Sequence, residues 1–206
     1  MVLSKRREAY RESLREEILD AARQLFAVNG YEATSIRSIA TKVGASPGIL
    51  YHYFEDKQDI MAHLVRETFS KLSQRLEAIR GDGDLPEARM RRGLRAYIEF
   101  GLEHPHHYAL LFMKIDSWDG NEKIQEAFQI QGSAAFNCLR MMARECIDRN
   151  VLRPDIRDAE ELAQTLWAAI HGLVSIQVSC KAFPFLERTR LADRLLDIIM
   201  AGVLRS

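Results

Sequence analysis

The chain has 206 residues, 29 basic and 29 acidic, so its formal net charge is zero, and 47% of it is apolar. That is enough apolar material for a sizeable core in one large domain or two small ones, which excludes a disordered chain. No run of about 18 uncharged apolar residues appears and the opening MVLSKRREAYRE has no apolar signal core, so no membrane span is expected and a cytoplasmic location is.

Leu14, Ile18, Ala21, Ala22, Leu25 and Phe26 recur at helical spacing, and Asn29-Gly30 offers a residue able to take positive φ, so a first, bracing helix is predicted to end there. Ahead of it Lys5, Arg6 and Arg7 form either a flexible basic arm or a frayed end. A short second helix follows, with Thr34 or Ser35 as cap, Ile36, Ile39, Ala40 and Val43 on its apolar side, and Gly44 as left-handed stop. Ser46 is a good N-cap and Pro47 suits a first helical position, so a third helix starts there. Its inward side is expected to hold Ile49, Leu50 and Tyr53 or Phe54, which leaves Ser46, Pro47, Gly48, Tyr51 and His52 facing out. Two short helices joined by a tight turn are the layout of a helix-turn-helix, whose second helix enters the major groove of DNA.

These residues resemble the TetR-type bacterial transcriptional regulators. The resemblance is carried by Phe26, Gly30, Tyr31, Thr34, Ile39, Ala40, Gly44, Ser46, Leu50, Tyr51, Phe54 and Lys57, in the family's order and spacing, over roughly the first third of the chain. It implies base-edge contacts from Arg37, Ser46, Pro47 and Gly48 and phosphate contacts from Thr34, Tyr51, His52 and Lys57. Arg37 is the best reader of guanine, because a bidentate guanidinium is worth about 1–3 kcal/mol of discrimination; the plainer reading of Arg37 is a solvated helix charge. Residues 1–60 carry nine basic and nine acidic side chains, so non-specific affinity is expected to be modest and its salt dependence shallow.

Apolar positions from Asp56 to Ile79 predict one long fourth helix, and Gly81-Asp82-Gly83-Asp84 breaks the chain before a fifth helix from about Pro86 to Glu103. A short sixth helix follows Pro105. The segment from about Asp116 to Asn121 is expected to be a loop. A long seventh helix passes through Ile124, Phe128, Ala135, Cys138, Leu139, Met142 and Cys146. The eighth runs from about Ala159 to Ser179 and the ninth from about Glu187 to Leu204. No alternating strand pattern stands out, so the fold class is all-α, about nine helices. The expected division is a DNA-binding domain over 1–56 and an effector-binding and dimerisation domain over 57–206.

The last two helices show little polar face, and a helix apolar on more than one side needs neighbours on more than one side. A twofold four-helix interface with a second subunit would supply them, through Leu166, Ile170, Leu173, Leu195, Ile199 and Val203; the alternative is burial of both sides within one subunit. The TetR resemblance implies the dimer.

Trp167, His171 and Gly172, with His104-Pro105 ahead of Tyr108, resemble the subgroup that carries a Trp-His-Gly motif in its ligand domain. The resemblance implies a small-molecule cavity among Tyr97, Phe100, Tyr108, Phe112, Phe128, Phe136, Trp167 and His171, suited to a hydrophobic effector. Periodicity by itself makes these aromatics core.

Adjacent His106 and His107 diverge on a helix, and with His104 and the distant His171 no cysteine or carboxylate completes a set, so no metal is expected. The odd, widely spaced Cys138, Cys146 and Cys180 read as reduced core thiols. No phosphate-binding glycine loop, nucleophile elbow or His-Glu-x-x-His appears, which argues against an enzyme, and no cofactor is expected. The expected protein is a dimeric one-component repressor that binds a palindromic DNA operator and is released by an effector. An all-α ligand-binding or interaction protein without operator binding is the alternative.

Overall fold

The structure, a computed structural model, describes residues 2–112 and 121–205. Among the described residues it holds nine helices: α1 (Val2–Asn29), α2 (Ile36–Val43), α3 (Pro47–Leu50), α4 (Lys57–Arg80), α5 (Pro86–Glu103), α6 (Pro105–Phe112), α7 (Glu122–Asp148), α8 (Ala159–Ser179) and α9 (Arg188–Val203). The all-α expectation holds in number and order. The loop expected at Asp116 to Asn121 lies, apart from Asn121, outside the described residues, as does the Lys5 side chain.

Local chemistry accounts for the boundaries. Gly30 adopts φ 86 and ends α1, its N–H donating to the Phe26 carbonyl at 3.0 Å. The basic run expected as an arm or frayed end is instead part of α1. Of the two cap candidates for α2, Ser35 does the work. Its hydroxyl accepts the Ser38 N–H at 3.1 Å while the Ser38 hydroxyl accepts the Ser35 N–H at 3.0 Å, a reciprocal capping box with serine in the usual Glu position. Gly44, at φ 75, closes the other end. α3 is a single turn with Pro47 at its start, and Ser46 precedes it without making the expected side-chain cap.

The chain divides into two compact units, residues 1–68 with 106–129 and residues 69–105 with 130–206. In the first, Ile18, Ala22, Phe26, Ile39, Leu50, Phe54, Ile60 and Leu64 are buried, together with Tyr108, Leu111 and Ile124.

In the second unit, Leu72, Leu76, Met90, Leu94, Ile98, Met142, Cys146, Val174 and Leu196 are buried. α5 packs against both α8 and α9, and Arg91 on α5 reaches Asp197 on α9 at 2.6 Å. Gly93 lets α5 approach α7 closely, since a Cβ there would stand 2.8 Å from the Met142 sulfur. Asp158 caps α8, accepting the N–H groups of Glu160 and Glu161 at 2.8 and 3.4 Å.

The dimer assignment needs correction at two positions. Leu166 and Ile170 are each 1% exposed and face the protomer's own core, because α8 presents that side to α5. Leu173, Leu195, Ile199 and Val203 are half-buried. The apolar residues that α8 and α9 turn outward are Ile176 and Ile198, 46% and 62% exposed.

Candidate nucleic-acid interface and effector site

α2, the Gly44 turn and α3 form the expected helix-turn-helix. Its seat is built from Ile39 and Ala40 on α2 and from Leu50 and Phe54, all buried. With those side chains committed to the core, Arg37, Ser46, Gly48, Tyr51 and His52 are exposed and Pro47 is half-buried. The Ser46 hydroxyl, unused in capping, is left on the outside. A Cβ on Gly48 would meet only the Ser46 hydroxyl at 3.9 Å, so the backbone there lies open to close approach.

Three residues here are placed otherwise than the sequence pattern suggests, for identifiable reasons. Thr34 is 1% exposed; its hydroxyl donates to the Gly30 carbonyl at 2.7 Å and its N–H to the Tyr31 carbonyl at 3.2 Å, so it secures the α1–α2 turn. Lys57 is half-buried, donates from Nζ to the Tyr31 carbonyl at 2.9 Å and stands 4.1 Å from the Tyr31 ring centroid. It braces the same turn instead of reaching outward. Ile49, expected inward, is 37% exposed.

Several residues that sequence reasoning passed over hold the head. Lys123 at the start of α7 donates to Glu55 at 2.7 Å and to Asp56 at 3.0 Å, and the Tyr31 hydroxyl donates to the Asn121 side chain at 3.5 Å. Asp56 in turn accepts the Asp59 N–H at 2.7 Å, fixing the first turn of α4. Burial would raise the Asp56 carboxyl, but the Asp59 N–H and Lys123 outweigh it and hold it below its ordinary value. Burial, with Glu32 and Asp56 nearby, pushes the Tyr31 phenol up to about 12. On the other side Arg15 of α1 lies 3.0 Å from His63 Nδ1 and 5.5 Å from the Phe54 ring centroid. Burial, reinforced by Arg15 and Arg66 against Asp59, lowers His63 below its ordinary value. The Arg15–His63, Lys123–Asp56 and Tyr31–Asn121 partners lie 48, 67 and 90 residues apart in sequence, which no local pattern signals.

The aromatic residues expected around an effector fall into two groups. In the second unit the Tyr97 hydroxyl lies 3.0 Å from His171 Nδ1 and accepts the Trp167 indole N–H at 3.2 Å. Trp167 lies tilted at 5.6 Å from the His171 ring and edge-on at 6.0 Å from Phe136. Burial lowers His171 below its ordinary value, which favours the uncharged ring. Phe100 is buried and meets His104 edge-on at 5.3 Å. In the first unit Tyr108 lies 5.0 Å from Phe112, which lies 6.0 Å from Phe128.

Cys138 and Cys146 are buried, and burial pushes their thiols up to about 11 and about 12. Cys180 is exposed, contrary to the core assignment, because it lies where α8 ends. Among the described residues no group of three or more His, Cys, Asp or Glu side chains could hold a metal. No helix among them is long and apolar enough to cross a membrane.

Residues 18–64 match the family model described as bacterial regulatory proteins, tetR family, and residues 90–199 match that of the tetracyclin repressor-like C-terminal domain. The transcriptional repressor AcnR of Corynebacterium diphtheriae is 38% identical over 60 residues, 29% of this chain and 32% of that protein. The transcriptional regulator YuxN of Bacillus subtilis is 28% identical over 185 residues, 89% of this chain and 59% of that protein. The chain thus spans between 32% and 59% of the length of these relatives. The Bacillus subtilis regulator FadR, solved with stearoyl-CoA, superposes with a TM-score of 0.77 at 19% identity, covering 91% of this chain and 98% of that one. The ketosteroid regulator KstR2 of Mycobacterium tuberculosis superposes with a TM-score of 0.75 at 20% identity, covering 93% and 95%. Likeness at those identities establishes the fold.

Proposed function

Because the chain belongs to the tetR family of bacterial regulatory proteins, we propose that it is a dimeric, cytoplasmic one-component repressor that binds a palindromic operator and is released by a small-molecule effector. The observation that carries this reading is the seating of α3: Leu50 and Phe54 are buried while Ser46, Gly48, Tyr51 and His52 stand exposed around one turn, with Arg37 exposed on α2. An exposed helical turn of that kind is what a major groove accepts. Arg37, Ser46, Pro47 and Gly48 meet base edges, and Tyr51 and His52 meet phosphates. Residues 1–56 serve as the reading head, and residues 57–206 bind effector and dimerise.

The second copy covers the outward side of α8 and α9. Ile176 and Ile198 are exposed there, Leu173, Leu195, Ile199 and Val203 flank them, and a Cβ on Gly172 or Gly202 would meet nothing within 4 Å. Apolar side chains beside open glycines suit close helix packing across a twofold axis.

The effector is apolar for most of its length. Phe136 and Trp167 offer it aromatic surface, with the Tyr97–His171 pair as a polar mark. The acyl-CoA ligand of the FadR structure supports an effector with a long apolar chain. Membership of the Trp-His-Gly subgroup is supported by Trp167, His171 and Gly172.

The test is selection of duplexes from a random pool by the purified protein, followed by gel shift with long-chain acyl compounds. An inverted-repeat sequence released by effector is expected. A monomer that retains no duplex at low ionic strength overturns the reading and leaves an all-α ligand-binding or interaction protein.

A further inference from the structure

Ile49 is the residue of α3 that the core does not explain. Leu50, next to it, is 1% exposed, whereas Ile49 is 37% exposed. Its backbone is fully used: the N–H donates to the Ser46 carbonyl at 3.0 Å and its carbonyl accepts the His52 N–H at 3.1 Å. Only its side chain is left to interact. It lies three residues after Ser46 and three before His52, so the three share one side of the turn with the branched aliphatic in the middle. Gly48 beside it has no side chain, and the Ser46 hydroxyl is short and uncapped. Ile49 is therefore the tallest apolar group on this side of the reading turn.

The edges of base pairs in the major groove present hydrogen-bond donors and acceptors and one apolar feature, the C5-methyl group of thymine. A β-branched aliphatic side chain cannot read the former and buries surface against the latter. We propose that Ile49 is a specificity determinant that reads one thymine in each half-site through its methyl group. The proposal rests on the operator reading above and adds a base identity to it. It is separate from the polar readout assigned to Arg37, since it discriminates thymine from cytosine and from uracil by a single carbon.

The experiment starts from the operator obtained by selection. Each thymine is replaced singly by deoxyuridine, which keeps the pairing edge and removes only the methyl. Wild-type protein is expected to lose about fourfold in affinity at one thymine of each half-site, the worth of one buried methyl group, and about fifteenfold when both are replaced. Ile49→Ala is expected to bind thymine and uracil operators equally and Ile49→Val to keep part of the difference. Both variants are expected to stay folded, which their melting transitions check. Indifference of wild type to uracil at every thymine, or undiminished uracil sensitivity in Ile49→Ala, overturns the proposal. Failure to retain any duplex overturns the operator reading itself, and the methyl contact with it.

Discussion

The Tyr97 hydroxyl stands 3.0 Å from His171 Nδ1, joining α5 to α8 through a half-buried imidazole. The same hydroxyl accepts the Trp167 indole N–H, so one oxygen serves two side chains at once. Tyr97→Phe removes that shared group. It is expected to cost about 1–2 kcal/mol in urea unfolding and to alter release by effector more than operator affinity without effector. Equal loss of both in gel shifts would remove these residues from the effector site.

Both lowered histidines make the same prediction about pH. A histidine whose folded pKa lies below its ordinary value of 6.5 binds fewer protons folded than unfolded between those two values. Stability is then complete above 6.5, falls as pH drops from 6.5 towards the folded values, and takes no further loss from these groups below them. His63→Gln and His171→Gln should each flatten part of that slope in urea melts recorded between pH 8 and pH 5. The paired carboxylates Asp56, Glu77 and Asp155 also lose their contribution on acidification, but in a separate window below their ordinary values of 3.8 and 4.5.

Lys123→Gln breaks the contact from α7 to Glu55 and Asp56. Exposed ion pairs add little to global stability, so the melting transition should barely move. The local effects are expected to be a rise of the Asp56 carboxyl towards its ordinary range and faster exchange of the Asp59 amide that Asp56 holds, both readable by NMR. An unchanged Asp56 titration would show that Lys123 is not its partner in solution.

Gly44→Ala places a Cβ at φ 75, a conformation that costs an L residue about 1–2 kcal/mol. Because a Cβ there meets nothing within 4 Å, the loss is one of backbone strain alone. A lowered melting midpoint with unchanged helix content by circular dichroism checks this.

Ile198→Glu puts a charge on the outward side of α9, where the residue is 62% exposed in one protomer. The variant is expected to remain folded and to elute as a single subunit in light scattering, with operator affinity greatly weakened. A dimer of unchanged strength would place the interface elsewhere.

What the sequence made legible was local. The Ser35 cap, the Gly44 stop and the Pro47 start each depend on residues within a few positions, so the α2–turn–α3 unit could be drawn before any coordinates. A helix of one turn gives periodicity too little length to resolve direction, and so Ile49 and Leu50 were both placed inward although only Leu50 goes there. α8 has little polar face, so its pattern alone does not say which side meets α5, and only the fold shows that Leu166 and Ile170 lie buried in the protomer's own core. Thr34 and Lys57 lie at family positions but their polar atoms are engaged by the Gly30 and Tyr31 carbonyls. The Lys123–Asp56 contact spans 67 residues, and one lysine among many carries no mark of its partner.

The missing cap of α3 has a practical consequence. Ser46 makes no capping bond, and Ile49 and His52 point their side chains away from the core, so the four-residue turn is anchored through Leu50 and Phe54. Codons 46, 48, 49 and 52 can therefore be randomised together as an exchangeable cassette, and variants drawn from such a library are expected to keep the parent's expression level.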